Sequence, residues 1–303
     1  MKTTFIKITL SLSFCFIYLL SFGQGCSDAG FCTMSGLQSE EEYTNNEIKV
    51  GISYGQADNY IQIVNPSLEY TYKASNKLAL TAKVTAISQS SDTLSNFGLS
   101  DFYLSANYSL NEKSAIIIGG KLPLNNGNQL GALDLPLPLD YQSSLGTVDF
   151  ILGYSLHINK LHIVTALQQP LTQNENTYSP ILYDRVLYSG LKDFQATNQF
   201  TRQGDALLRL SYPLKKSEKI KVSASLLSIY HLGEDTYLDE FDVEQKIIGS
   251  DGLTINGNLF FDYYLSTKST LKLSLASPFL VREVRPDGLT RSFVASLQYA
   301  FKF

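Results

Sequence analysis

The sequence predicts an all-β fold: a membrane-spanning, antiparallel up-and-down β-barrel of about 12 strands. Three observations carry that reading. Polar and apolar residues alternate over runs long enough for a tilted membrane strand, which needs roughly 9–11 residues. Short polar turns alternate with long connections along the chain. A tyrosine recurs in one register ahead of each short turn. Composition agrees: the 303 residues are 44% hydrophobic but only 17% charged, with 19 Tyr, 17 Phe and no Trp.

The first element lies outside the barrel. Lys2 and Lys7 flank an apolar run, ITLSLSFCFIYLLSF, followed by the small residues GQG. This pattern reads as a secretory signal peptide over 1–24, cleaved near Gly23 or Gln24. Lipidation of Cys26 is the alternative, but Gly23-Gln24-Gly25 lacks the aliphatic residue expected three positions before a lipidated cysteine. Loss of Lys2 and Lys7 takes the formal charge from −4 to −6, which leaves no basic footprint for nucleic acid.

Residues 25–46 form a periplasmic N-terminal segment before the first strand. Its Cys26 and Cys32 read as a disulfide, because an even pair beyond the cytosol is oxidised by default. The segment is a stapled leader, a plug for the barrel mouth, or a redox-active or metal-binding pair. Metal binding is not expected, since two thiolates without a nearby His make an incomplete site.

The barrel occupies 47–303. Its strands are expected at 47–56, 60–73, 78–88, 98–110, 115–123, 146–158, 161–170, 203–214, 220–231, 252–265, 271–280 and 289–303. Within 98–110, Phe102, Leu104, Ala106 and Tyr108 share one face, and Leu99, Asp101, Tyr103 and Ser105 share the other. Only a strand separates alternate residues in this way. The turns ASNK (74–77), NEKS (111–114), NK (159–160), KKSEK (215–219) and TKST (267–270) each join two such runs. The largest connections, roughly 124–145, 172–202 and 232–251, fall on the opposite side. An even strand count with short turns on one side places that side in the periplasm.

The tyrosines Tyr70, Tyr108, Tyr154, Tyr212, Tyr263 and Tyr299 precede those turns and the chain end. They would form an outward aromatic belt at the interface, where a ring is buried and its hydroxyl wetted. The opposite parity carries Lys49, Glu69, Lys83, Asp101, Lys121, Asp149, Arg209, Lys221, Asp262 and Lys272. A charge facing lipid at mid-depth costs several kcal/mol, so these residues are expected to face the lumen. Counting out from the turns sets Glu69 opposite Lys83, Asp101 opposite Lys121, and Asp262 close to Lys272. Such pairs would either brace the barrel or line a charged conduit.

The last strand ends LQYAFKF, with Leu297, Tyr299, Phe301 and the terminal Phe303 at alternate positions. This ending resembles the C-terminal assembly signal of Gram-negative outer-membrane β-barrels, and the architecture over 47–303 resembles that class as a whole. Within it, the chain looks most like barrels of the phenol-degradation-pathway and long-chain fatty-acid transporter types. The resemblance implies outer-membrane localisation, lipid contact, and recognition of Phe301 and Phe303 by the barrel-assembly machinery. It also implies a passive channel or transporter for small organic or hydrophobic molecules, with no ligand motif to carry over. The alternative is a non-transporting structural or adhesive barrel whose loops bind partners.

No catalytic residue, metal or cofactor is expected. His157 and His162 flank one turn on inward parity, and His231 ends a strand near Glu234 and Asp235. Ser228 lies on the face opposite His231, so the two cannot readily pair as nucleophile and base. The apolar, Pro-rich stretch GALDLPLPLD (131–140) would either fold into the lumen or project outward.

Overall fold

The computed structural model describes residues 45–92, 94–131, 134–183, 189–287 and 291–303. The expected signal peptide and the Cys26–Cys32 pair lie outside the described residues. Twelve long strands close into one antiparallel barrel. They are β1 (Glu47–Ala57), β2 (Gln62–Lys73), β3 (Leu78–Ser90), β4 (Ser95–Asn111), β5 (Ser114–Pro123) and β6 (Asp149–Ile158). The second half comprises β7 (Leu161–Pro170), β8 (Asp205–Lys216), β9 (Ile220–His231), β12 (Gly252–Tyr264), β13 (Ser269–Leu280) and β14 (Arg291–Lys302). Two short strands, β10 (Thr236–Leu238) and β11 (Glu244–Lys246), pair within the β9–β12 loop.

Every wall strand pairs with its sequence neighbours, and β14 closes on β1 with Ile48 opposite Phe301 and Tyr54 opposite Ala295. Closure satisfies backbone groups that an open edge would leave bare in hydrocarbon. Phe303 extends the seam beyond the last strand. Its N–H donates to the Asn46 carbonyl at 3.0 Å, and its ring lies nearly parallel to Tyr70 at 6.4 Å. The tightest turn, Asn159–Lys160, places Asn159 at φ 56°, a conformation asparagine tolerates better than most residues.

Alternation sorts the side chains. Leu104, Leu152, Leu226 and Leu259 are exposed on the outer face, and Ile117, Ile151 and Leu227 are fully buried on the inner face. Two details depart from the expected register. Leu99, expected inward with Asp101, points outward and is 58% exposed. The cause is a bulge where the β3–β4 ladder shifts between Val84 and Ala86. It leaves both Ser100 and Asp101 buried and reverses the parity beyond them. Asp101 is also not opposite Lys121. The turn closes at Asn111 and Ser114, and with the one-residue shift between Ser109 and Asn111 the β4–β5 ladder sets Asp101 opposite Pro123 and Lys121 opposite Tyr103, two positions from the expected pair.

Candidate functional site

The candidate site is the lumen, and its two ends are built differently. At the short-turn end, Glu47, Lys49, Glu69 and Lys83 form a chain across β1, β2 and β3. Lys49 Nζ lies 3.2 Å from both Glu47 and Glu69, and Lys83 Nζ lies 3.9 Å from Glu69. Lys49 sits directly opposite Glu69, which sits opposite Lys83. Asp262 is likewise opposite both Lys221 and Lys272. His157 and His162 face each other with rings stacked at 4.2 Å.

These strands surround a cavity of about 1000 Å³ that opens between the short turns. Nine of its lining residues are lysines, against three carboxylates, Glu47, Glu112 and Asp262. The mouth therefore carries a positive field that concentrates anions.

Above it the lumen narrows. Tyr103, Ile117, Ile151, Val164, Leu207, Leu227 and Ile229 project inward from β4 to β9 and pack into one buried cluster. The long-loop end is then filled by the loops themselves. The stretch 134–141 turns inward, so Leu137 and Tyr141 join Tyr178, Tyr183 and Leu191 against Ile61, Ile63 and Ile87 of the barrel mouth. Leu139 and Leu145 pack with Phe200 and Ile247.

Polar anchors fix this inward path. Gln89 donates to the Gln142 carbonyl at 2.6 Å, and Ser144 donates to Asp101 at 2.6 Å. Tyr183 donates to the Pro136 carbonyl at 2.9 Å, and Tyr178 to the Leu191 carbonyl. Burial pushes the Tyr178 and Tyr183 hydroxyls up, which keeps them as donors. Gly146 adopts φ +71°, and a side chain there would collide with the Asn126 carbonyl. The loop doubles back at that point because only glycine fits.

A buried charge cluster ties the loops to one another. Arg202, from the β7–β8 loop, is 1% exposed and touches Asp205, Asp287 (3.0 Å) and, more distantly, Asp149 (4.0 Å). Arg282, from the β13–β14 loop, holds Asp287 and donates to the Ser250 carbonyl at 2.6 Å. His231 sits between Asp205 (2.7 Å from Nδ1) and Asp235 (2.8 Å from Nε2). Two carboxylate acceptors require both ring nitrogens to carry hydrogen. Lys121 lies 3.1 Å from Asp149 and donates to Thr147 at 3.0 Å.

Burial opposes the charge on Arg202, but Asp205, Asp287 and Asp149 outweigh it and raise its pKa further. Burial would likewise push Asp287 up, yet Arg282 and Arg202 hold its carboxyl well below the usual range.

Eight of the ten charges expected inward, Lys49, Glu69, Lys83, Asp101, Lys121, Asp149, Arg209 and Lys221, are buried on the inner wall. Asp262 and Lys272 are half-buried beside the cavity. The six tyrosines are on the outer wall and 39% to 47% exposed. Arg202, Arg282 and Asp287 were not candidates on sequence. Arg202 comes from the β7–β8 loop and Arg282 and Asp287 from the β13–β14 loop, and only the His231–Asp235 spacing gave any local signal.

An apolar outer wall, a charged inner wall and full closure define the class: an outer-membrane type β-barrel. The chain is similar to an outer membrane channel from Pseudomonas putida F1, at 16% identity and a TM-score of 0.57, covering 87% of this chain and 97% of that one. It also aligns with the NanC porin at 7% identity, a TM-score of 0.46 and coverage of 85% and 98%. For the translocator domain of the autotransporter NalP from Neisseria meningitidis, the values are 10%, 0.47, 88% and 91%. No family model and no curated protein matches the sequence.

Proposed function

We propose that this protein is an outer-membrane channel for small organic solutes, open toward the periplasm through the short-turn end and closed by its inward-folded loops. The observation that carries this reading is the lumen's asymmetry. A polar cavity of about 1000 Å³ at one end meets a loop plug at the other, held to the wall by side-chain hydrogen bonds with Gln89 and Asp101. A barrel serving only as a loop scaffold has no need of a basic vestibule. The lysines favour solutes bearing negative charge.

The tyrosines act as the periplasmic interfacial belt, and Phe301 and Phe303 as the signal read by the assembly machinery. Deleting Phe303 should lower the level of folded barrel in the outer membrane well beyond the loss of one surface aromatic. Normal levels would contradict the assembly role.

Liposome swelling tests transport. Vesicles carrying the purified barrel should admit small organic anions faster after the loop stretch 131–140 is removed. Equal impermeability of both proteins would refute the channel and favour an adhesive or structural barrel.

A further inference from the structure

Among the described residues, most buried cations have a carboxylate beside them. Lys49, Lys83, Lys121, Arg202 and Arg282 each lie within 4.0 Å of a carboxylate. Arg209, on the inner face of β8, is 2% exposed, yet no described residue gives it a hydrogen bond or ion pair, and its Nε is an orphaned donor. The residues directly across from it are Val164 on β7 and Leu227 on β9, both fully buried. Hydrocarbon therefore flanks the guanidinium on both sides. An isolated buried charge costs several kcal/mol unless something neutralises it.

The neighbouring polar groups are also unsatisfied. Ser211, two residues along the same face and 2% exposed, has an unpaired Oγ. Asn256, on β12, is fully buried with both amide atoms unpaired. It lies in the same row as Arg209, because Leu227 faces Arg209 on one side and Asn256 on the other. Two strand spacings place the Arg209 and Asn256 backbones about 10 Å apart. Leu227 stands between the two in that row, so a small ligand held by the guanidinium and the amide would lie across its side chain on the lumen side.

The row also has a polar approach from the vestibule. Lys221, Ser223 and Ser225 lead up β9 from the cavity lining toward Leu227, and Ser225 faces both Ser211 and Asn258.

We infer that Arg209, Ser211 and Asn256 form an internal binding site for a carboxylate group, reached from the basic vestibule. The guanidinium fork matches the two oxygens of a carboxylate, and Ser211 and Asn256 supply further donors. The inference deepens the channel reading and rests on it for the ligand's route of entry.

The test is binding of 13C-formate to the full, folded barrel in detergent, followed by broadening of the formate NMR resonance. Saturable broadening is expected for the native protein. Arg209→Met should bind roughly 10- to 100-fold more weakly, the loss of a charge-assisted hydrogen bond, and Arg209→Lys should fall between. Folding of each variant is checked by heat-modifiable gel mobility. Should Arg209→Met fail to fold, Asn256→Leu must still weaken binding several-fold. Absent broadening, or broadening that Arg209→Met and Asn256→Leu leave unchanged, overturns the site and leaves ordered water as the partner of Arg209. Binding without conductance upholds the site and counts only against the channel. Conductance without formate binding refutes the site alone.

Discussion

The two ends of the lumen solve the problem of buried charge in opposite ways. At the short-turn end, ion pairs such as Glu69–Lys83 run between adjacent strands, fixed by ladder register, while the mouth stays open as a basic cavity. At the long-loop end, Arg202 and Arg282, both from loops, gather Asp287 of the β13–β14 loop and the strand end Asp205, and the centre is filled. Pairs within a ladder cannot separate without breaking the barrel. Pairs between loops can separate while the barrel stays intact. The first arrangement suits a fixed wall, the second a gate.

Breaking the loop cluster at its hub should have the largest effect. Arg202→Leu leaves Asp205 and Asp287 buried without their shared cation, and breaking a buried pair costs about 3–5 kcal/mol. That cost should fall on the loops rather than the wall. Limited proteolysis should cut within 171–204 while the strands stay protected; uniform loss of protection would mean that the loops and barrel unfold together.

Lys121→Met should be milder, because Thr147 and Gln168 still donate to Asp149. A loss of about 1.5–3 kcal/mol, the value of a hydrogen bond to a charged group, is expected in urea unfolding. A value as large as that for Arg202→Leu would show that Lys121, not Arg202, is the hub.

Acid sharpens the comparison further. The depressed pKa of Asp287 contributes stability present above its unfolded value of about 3.9 and lost as pH falls through the lower folded value. The Asp287 contacts should therefore persist through mild acid and weaken only below about pH 3.9. Hydrogen exchange in the β13–β14 loop reads this directly, and loosening near pH 6 would contradict it.

The smallest effect on stability belongs to the vestibule. Lys215→Gln with Lys216→Gln, both exposed, should shift unfolding by no more than about 0.5 kcal/mol. The same pair should reduce anion preference in reversal-potential measurements. An unchanged reversal potential would remove the vestibule from the permeation path.

Much of the wall was legible in the sequence because strand alternation and turn chemistry are local. The expected 78–88 and 252–265 became 78–90 and 252–264, and Glu69 met Lys83 as counted. The true partners of Asp101 and Lys121 were not legible. Register depends on where the turn closes, here at Asn111 and Ser114, and on the one-residue shift beside it, neither of which alternation marks. The sequence does not decide whether the stretch DLPLPLD (134–140) turns inward, for a different reason. Its apolar residues could bury in the lumen or in a partner, and the anchors that decide it, Gln89 and Asp101, come from the wall. The loop cluster was least legible, since Arg202 and Asp287 are 85 residues apart. Arg209 stood among the expected lumen charges, but its lack of a partner emerged only from the packed barrel.

Single-channel conductance in planar bilayers tests the central claim most directly, comparing the native barrel with Arg202→Leu at neutral pH. A gate held by Arg202 predicts a native barrel that is closed or flickering, and a variant with sustained openings of several-fold larger conductance. Identical traces from two folded barrels would contradict the account, because the loops would then be neither the closure nor the part that moves.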